Sequence, residues 1–135
     1  MTGIVVVSHS RALAEAAVEL ARALLTGLDV RVEVAAGAPD GGFGTDPVAV
    51  MDAVQHVDDG DGVLVLTDLG SAVMSAETAL EMLDPTLAGR VRLSTAPLVE
   101  GLVGAYSAAG LGKDLAAVAV EADAAVVVKR AQMGL

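Results

Sequence analysis

The sequence predicts an α/β fold: a parallel sheet of about four strands, in the order 2-1-3-4, with helices on both faces. Three observations lead there. Apolar segments alternate along the chain between a strand-like and a helix-like period, the signature of repeated strand-helix units. Two of the strand-like segments, residues 3–8 and 62–67, are continuous apolar runs, as expected of strands buried on both faces. The composition is 54% hydrophobic, yet it includes one Phe, one Tyr and no Trp. A core of Ala, Val and Leu favours helices packed closely on a sheet over an aromatic-filled sandwich. At 135 residues the chain is one domain, expected over residues 3–125 and followed by an extension at 126–135.

The elements follow in order. After the first strand, a helix is expected from Ser10 to Leu25, with Leu13, Ala17, Leu20 and Leu24 on its apolar side and Arg11, Glu15, Glu19 and Arg22 opposite. Thr26 and Gly27 stop it. Val30, Val32 and Val34 alternate with Arg31 and Glu33, a period of two that marks a strand near an edge. Residues 35–47 are dense in Gly and Pro and read as a loop. Asp46 and Pro47 start a helix that runs to about Val57. The third strand, 62–67, leads through Asp68, Leu69, Gly70 and Ser71 into a helix ending near Leu83, and Asp84-Pro85 breaks it. Residues 91–95 form a short fourth strand whose Arg92 suggests an edge. Two helices, at about 98–110 and 113–125, are separated by Gly110 and Gly112. Residues 126–135 fit a helix extension, a partner-docking segment or a fraying tail. Two buried strands, the first and third, and two edge-like ones give the order 2-1-3-4 with right-handed crossovers.

Sheets of this kind bind ligands beyond the carboxyl ends of the strands, where the strand order reverses. Here that point lies between the first and third strands. The residue after the first is His9 and the residue after the third is Asp68, so the two should share one crevice. A carboxylate can fix the histidine tautomer, leave the other ring nitrogen as a nucleophile, and stabilise the cation that forms on attack. The helices starting at Ser10 and at Gly70-Ser71 would aim free amides at the crevice, a ready anion site. The loop ending in Gly44 and Thr45 could add amides and a hydroxyl. Together these groups suggest phosphoryl transfer through a phosphohistidine. The competing reading is plainer: His9 as a satisfied histidine at a strand end, and Asp68, Ser8, Ser10 and Ser71 as helix caps. His56, near a helix end, reads as a surface residue, and Tyr106 as packed in a helix.

Other chemistries lack support. The formal net charge of −10 argues against a nucleic-acid groove and against docking on anionic lipid. No apolar run is long enough for a membrane span, and the N-terminal run reads as a strand, not a leader. The absence of cysteine excludes disulfides and thiolate catalysis. Residues 57–63 resemble a calcium loop, but placing either glycine sixth leaves Gln55 or Val57 at the first position. No P-loop, dinucleotide fingerprint or zinc spacing is present, so no metal ligand and no tightly bound cofactor is expected.

Four stretches, GIVVVSHS at the start, GTD at 44–46, GVLVLTDLGSA at 62–72 and TAPLVEG at 95–101, resemble the phosphotransferase subunit of phosphoenolpyruvate-dependent dihydroxyacetone (glycerone) kinases. That subunit belongs to the mannose-type enzyme IIA fold of the bacterial phosphotransferase system. The resemblance spans about residues 3–125. It implies that His9 transiently carries a phosphoryl group taken from HPr and passes it to ADP on the nucleotide-binding kinase subunit. Asp68 would orient it, and Ser10, Gly44, Thr45, Gly70 and Ser71 would line the phosphate. It also implies a cytoplasmic homodimer, separate donor proteins, and magnesium with ADP on the partner. The nearest rival is an enzyme IIA of a mannose-type sugar transporter, whose loop after the third strand typically has a glycine pair followed by Ser-Pro. A non-catalytic module binding an anion or a partner in the same crevice is the alternative from another class. Asp46 departs from the pattern, since a further negative charge beside a phosphate is unfavourable unless it points away as a cap.

Overall fold

A computed structural model describes residues 1–135. Its elements are β1 (Gly3–Ser8), α1 (Arg11–Leu24), β2 (Val32–Ala36), α2 (Pro47–Val57), β3 (Val63–Thr67), α3 (Gly70–Met82), α4 (Pro85–Ala88), β4 (Val91–Leu93), α5 (Leu98–Gly110), α6 (Leu115–Asp123) and α7 (Ala125–Gln132). The four strands form one parallel sheet in the order β2-β1-β3-β4, as the burial pattern predicts. Ile4 pairs with Val32 on one side of β1 and with Leu64 on the other.

The pleat of β1 and β3 divides the core in two. Ile4, Val6, Leu64 and Leu66 face α1, α5 and α6, while Val5, Val7, Val63 and Val65 face α2 and α3. All eight are 0–1% exposed. Each such burial is worth roughly 1.5–3 kcal/mol, which is why these two strands have no polar face until Ser8 and Thr67 at their carboxyl ends.

Small residues set the helix distances. Tyr106 fills one end of the α5 side, and its hydroxyl donates to the Leu28 carbonyl at 3.3 Å. Gly104 lets α5 approach α6: a Cβ there would lie 2.9 Å from the Glu121 carbonyl oxygen. At the amino ends of the strands, Arg90 makes two hydrogen bonds to the Asp58 carboxylate, at 2.7 and 3.1 Å.

Several expectations need correction. The buried face of α1 is Ala14, Ala17, Val18 and Ala21, whereas Leu13, Leu20 and Leu24 are 44–61% exposed. Close packing on the sheet selects small side chains and turns the leucines outward. Ala35 and Ala36 extend β2 instead of opening the loop. The fourth strand stops at Leu93, and Asp84-Pro85 starts the short α4 as well as ending α3. Residues 125–132 are helical. No helix is long and apolar enough to cross a membrane.

Candidate active site

The reversal in strand order brings the ends of β1 and β3 side by side, and His9 and Asp68 with them. His9 Nδ1 lies 2.9 Å from Asp68 Oδ1. The His9 amide donates to Asp68 Oδ2 at 3.0 Å, the Ser8 hydroxyl to the same oxygen at 2.8 Å, and the Leu69 amide to Oδ1 at 2.6 Å. Burial would raise the Asp68 pKa, but the bonds from the His9 amide, the His9 ring, Leu69 and Ser8 outweigh it and hold the carboxyl below its ordinary value. An ionised carboxylate only accepts, so Nδ1 carries the ring proton. The lone pair of the neutral ring is then on Nε2, which meets the Ser71 hydroxyl.

Each partner is held by its own local structure. Ser8, fully buried at the end of β1, also accepts the Ser10 amide at 3.1 Å. Ser10 caps α1, its hydroxyl accepting from the Leu13 amide at 3.2 Å. Asp68 is not the cap of α3; that position is Leu69, which makes no side-chain cap bond. The Gly70 and Ser71 amides fall in the first turn, where no intrahelical acceptor exists. A Cβ on Gly70 would meet nothing within 4 Å, so neither packing nor backbone conformation demands a glycine there.

The loop after β2 closes over one side. Gly44, at φ +147°, donates its amide to the His9 carbonyl at 2.9 Å. The Thr45 hydroxyl lies 2.7 Å from Ser75 Oγ and 3.3 Å from the Ser71 carbonyl oxygen. Both residues reach the crevice, but as ties between loop, His9 and α3, not as free donors. Asp46 faces away as the cap of α2, accepting from the Val48 amide at 3.0 Å. Ser75 escaped the sequence reading because only the loop's placement reveals it; Ser8 was visible as a polar end to an apolar strand. His56 is a surface residue 3.4 Å from Glu33.

A groove of about 670 Å³ lies away from this site, between α1, α5 and α7, with Leu20, Leu24, Val99 and Val128 in its walls. An open nucleophile backed by a carboxylate and flanked by first-turn amides can accept and release a tetrahedral anion delivered from outside.

Residues 3–119 match the family model described as EIIA-man, PTS system fructose IIA component. The chain is 50% identical to the PEP-dependent dihydroxyacetone kinase phosphoryl donor subunit DhaM of Pantoea ananatis (strain LMG 20103) and 47% identical to the protein of that name from Escherichia coli (strain K12). Both alignments cover all of this chain and 29% of the relative, so the chain spans under a third of their length. A shorter relative, the phosphoryl donor subunit DhaM of PEP-dependent dihydroxyacetone kinase 2 from Listeria innocua serovar 6a, is 37% identical over 75% of this chain and 80% of its own. The crystal structure of EF1359, a protein of unknown function, superposes with a TM-score of 0.82 at 32% identity, covering 90% of this chain and 92% of that one.

Proposed function

The chain belongs to the EIIA-man family, and from that premise we propose that it is a phosphohistidine carrier, the phosphoryl donor unit of a phosphoenolpyruvate-dependent dihydroxyacetone kinase. The observation that carries this is the His9–Asp68 pair at the sheet's switch point, with Nδ1 held by the carboxylate at 2.9 Å and Nε2 turned toward the open side. HPr is the donor and ADP on the nucleotide-binding kinase subunit the acceptor, with magnesium arriving with the ADP. The protein works in the cytoplasm as a homodimer.

In the forward step Nε2 attacks phosphorus in line. The Nε2–P bond forms, the bond from phosphorus to the donor's leaving atom breaks, and the leaving atom departs with the bonding electron pair. The Nδ1 proton stays on the ring, bonded to Asp68, which stabilises the positive charge growing on the imidazole. The transition state is loose, so positioning and charge stabilisation dominate. The Gly70 and Ser71 amides and the Ser71 hydroxyl are placed to hold the phosphoryl oxygens. Ser10, Gly44 and Thr45 shape the phosphate site by fixing the two segments around it. Transfer to ADP reverses the roles, with Nε2 as the leaving atom.

The family model's own description, a fructose IIA component, favours a second reading, the enzyme IIA of a sugar transporter. Against it stand the sequence Asp-Leu-Gly-Ser-Ala after β3 and the kinase names of the relatives. Intact-mass analysis after incubation with phosphoenolpyruvate, enzyme I and HPr tests the carrier. One acid-labile phosphoryl group on wild type and none on His9→Ala is expected. Discharge by the kinase subunits with ADP then separates kinase from transporter. No labelling, with HPr itself phosphorylated, would overturn the reading.

A further inference from the structure

Ser75 is buried, yet it belongs neither to the His9–Asp68 pair nor to the first turn of α3. It lies four residues after Ser71 in the same helix, so the two side chains share one face, a turn apart. A buried serine in a helix ordinarily returns its hydroxyl to the carbonyl one turn back. Here the Ser71 carbonyl oxygen is met instead by the Thr45 hydroxyl at 3.3 Å, and the side-chain partner of Ser75 is Thr45 Oγ1 at 2.7 Å. A carbonyl only accepts, and each hydroxyl has one proton. Thr45 therefore donates to the Ser71 carbonyl, and Ser75 donates to Thr45. The neighbouring Gly44 amide donates to the His9 carbonyl at 2.9 Å. Two successive loop residues thus hold the backbones of His9 and Ser71, whose side chains meet across the crevice at Nε2.

We propose that Ser75 is a positioning residue for phosphoryl transfer: by fixing the Thr45 hydroxyl, it holds the loop that sets His9 against Ser71. The inference rests on the phosphocarrier reading of His9. Charging that ring requires the Ser71 hydroxyl to leave the Nε2 lone pair and phosphorus to come within roughly 3–3.5 Å in line. With both backbones tied, a rotation of the Ser71 side chain is enough, and its hydroxyl and amide stay beside the incoming oxygens. No proton of Ser75 moves in the reaction. Without Ser75, the loop keeps one side-chain hydrogen bond to α3, the 3.3 Å contact of Thr45 with the Ser71 carbonyl, which is long for a hydroxyl donor. Gly37, Gly41 and Gly44 all have positive φ, and a backbone so rich in glycine does little to hold the loop by itself. A displacement of about 1 Å in reacting groups is enough to slow a transfer substantially.

The test measures His9 labelling from phosphorylated HPr and from phosphoramidate in wild type, Ser75→Ala, Thr45→Val and the double variant, with a thermal melt of each. Ser75→Ala should lower kcat roughly ten-fold or more and leave KM for phospho-HPr unchanged, since Ser75 is buried away from any donor. Labelling from phosphoramidate should slow by the same factor. Two independent losses of about ten-fold would multiply to about a hundred-fold, whereas the double variant should lose no more than either single one. It also leaves neither hydroxyl without its partner, so its melting temperature should recover toward wild type while its rate does not. A rate that recovers together with the melting temperature would make the pair a packing contact and overturn the proposal. So would an unchanged kcat, a raised KM with kcat intact, losses that multiply, or a loss matched by the unfolded fraction at the assay temperature. Wild type labelled by neither donor overturns the carrier reading itself. Wild type labelled, with Ser75→Ala equally fast, overturns the positioning role alone.

Discussion

His9 Nδ1 and Asp68 Oδ1 lie 2.9 Å apart although the residues are 59 positions apart in the chain. The contact exists because parallel pairing of β1 with β3 puts Val7 opposite Thr67, so the next residue of each strand enters the same crevice. The Asp68 amide completes the link by donating to the Val7 carbonyl at 3.1 Å.

Asp68→Asn should therefore fold and transfer poorly. An amide can accept from Nδ1, but it carries no charge to stabilise the imidazolium and its NH₂ faces donors that need an acceptor. A fall of roughly 10²-fold or more in single-turnover labelling from phospho-HPr is expected, with unchanged far-ultraviolet circular dichroism. Full activity in this variant would remove Asp68 from the mechanism.

Ser8→Ala should act through Asp68. Ser8 is fully buried, donates to Oδ2 and accepts the Ser10 amide. Its removal takes away one of the donors that stabilise the carboxylate and strands an amide. Hydrogen bonds to charged groups are worth about 1.5–3 kcal/mol, so urea unfolding should show a loss of about 2 kcal/mol. The Asp68 carboxyl resonance should titrate at higher pH than in wild type. Loss of stability with an unmoved titration would make Ser8 structural only.

The strand order was legible because β1 and β3 are apolar on both faces while β2 alternates, and that difference survives into the fold. The site followed from the order alone. The face of α1 was legible only at Ala17, since Leu13, Leu20 and Leu24 are the more hydrophobic choice and only the helix-to-sheet distance selects Ala14, Val18 and Ala21 beside it. The tie from Thr45 to Ser75 was equally hidden. It depends on how a glycine-rich loop folds back, and no periodicity encodes that.

Acid should weaken the native state through the paired carboxylates. The Arg90 guanidinium beside Asp58, and the hydrogen bonds that overcome burial at Asp68, hold both carboxyls below their ordinary values. The unfolded chain then binds more protons than the native one as pH falls. Each contribution is complete above the ordinary carboxylate range, at neutral pH, and is lost as pH drops through the lowered native value. Urea midpoints measured from neutral pH down to about pH 3 should fall more steeply for wild type than for Asp68→Asn or Asp58→Asn. Parallel curves for all three would contradict the assignment.

Two glycines at the crevice should respond oppositely to alanine. Gly44 has φ +147° and a Cβ there would stand 3.2 Å from Ala38 Cβ, so Gly44→Ala strains the backbone that carries the bond to the His9 carbonyl. A loss of about 1–3 kcal/mol and slower phosphorylation should appear together. Gly70 lies in the first turn of α3, outside the left-handed region, and a Cβ there meets nothing. Gly70→Ala removes freedom from the unfolded chain and should raise stability by about 0.4–1 kcal/mol. Its methyl group would nonetheless crowd an anion approaching the first-turn amides. Phosphorylation of His9 should therefore slow in a protein with a higher melting temperature. That split separates a glycine kept for ligand approach from one kept for its backbone, and a Gly70→Ala protein with wild-type transfer would remove Gly70 from the phosphate site.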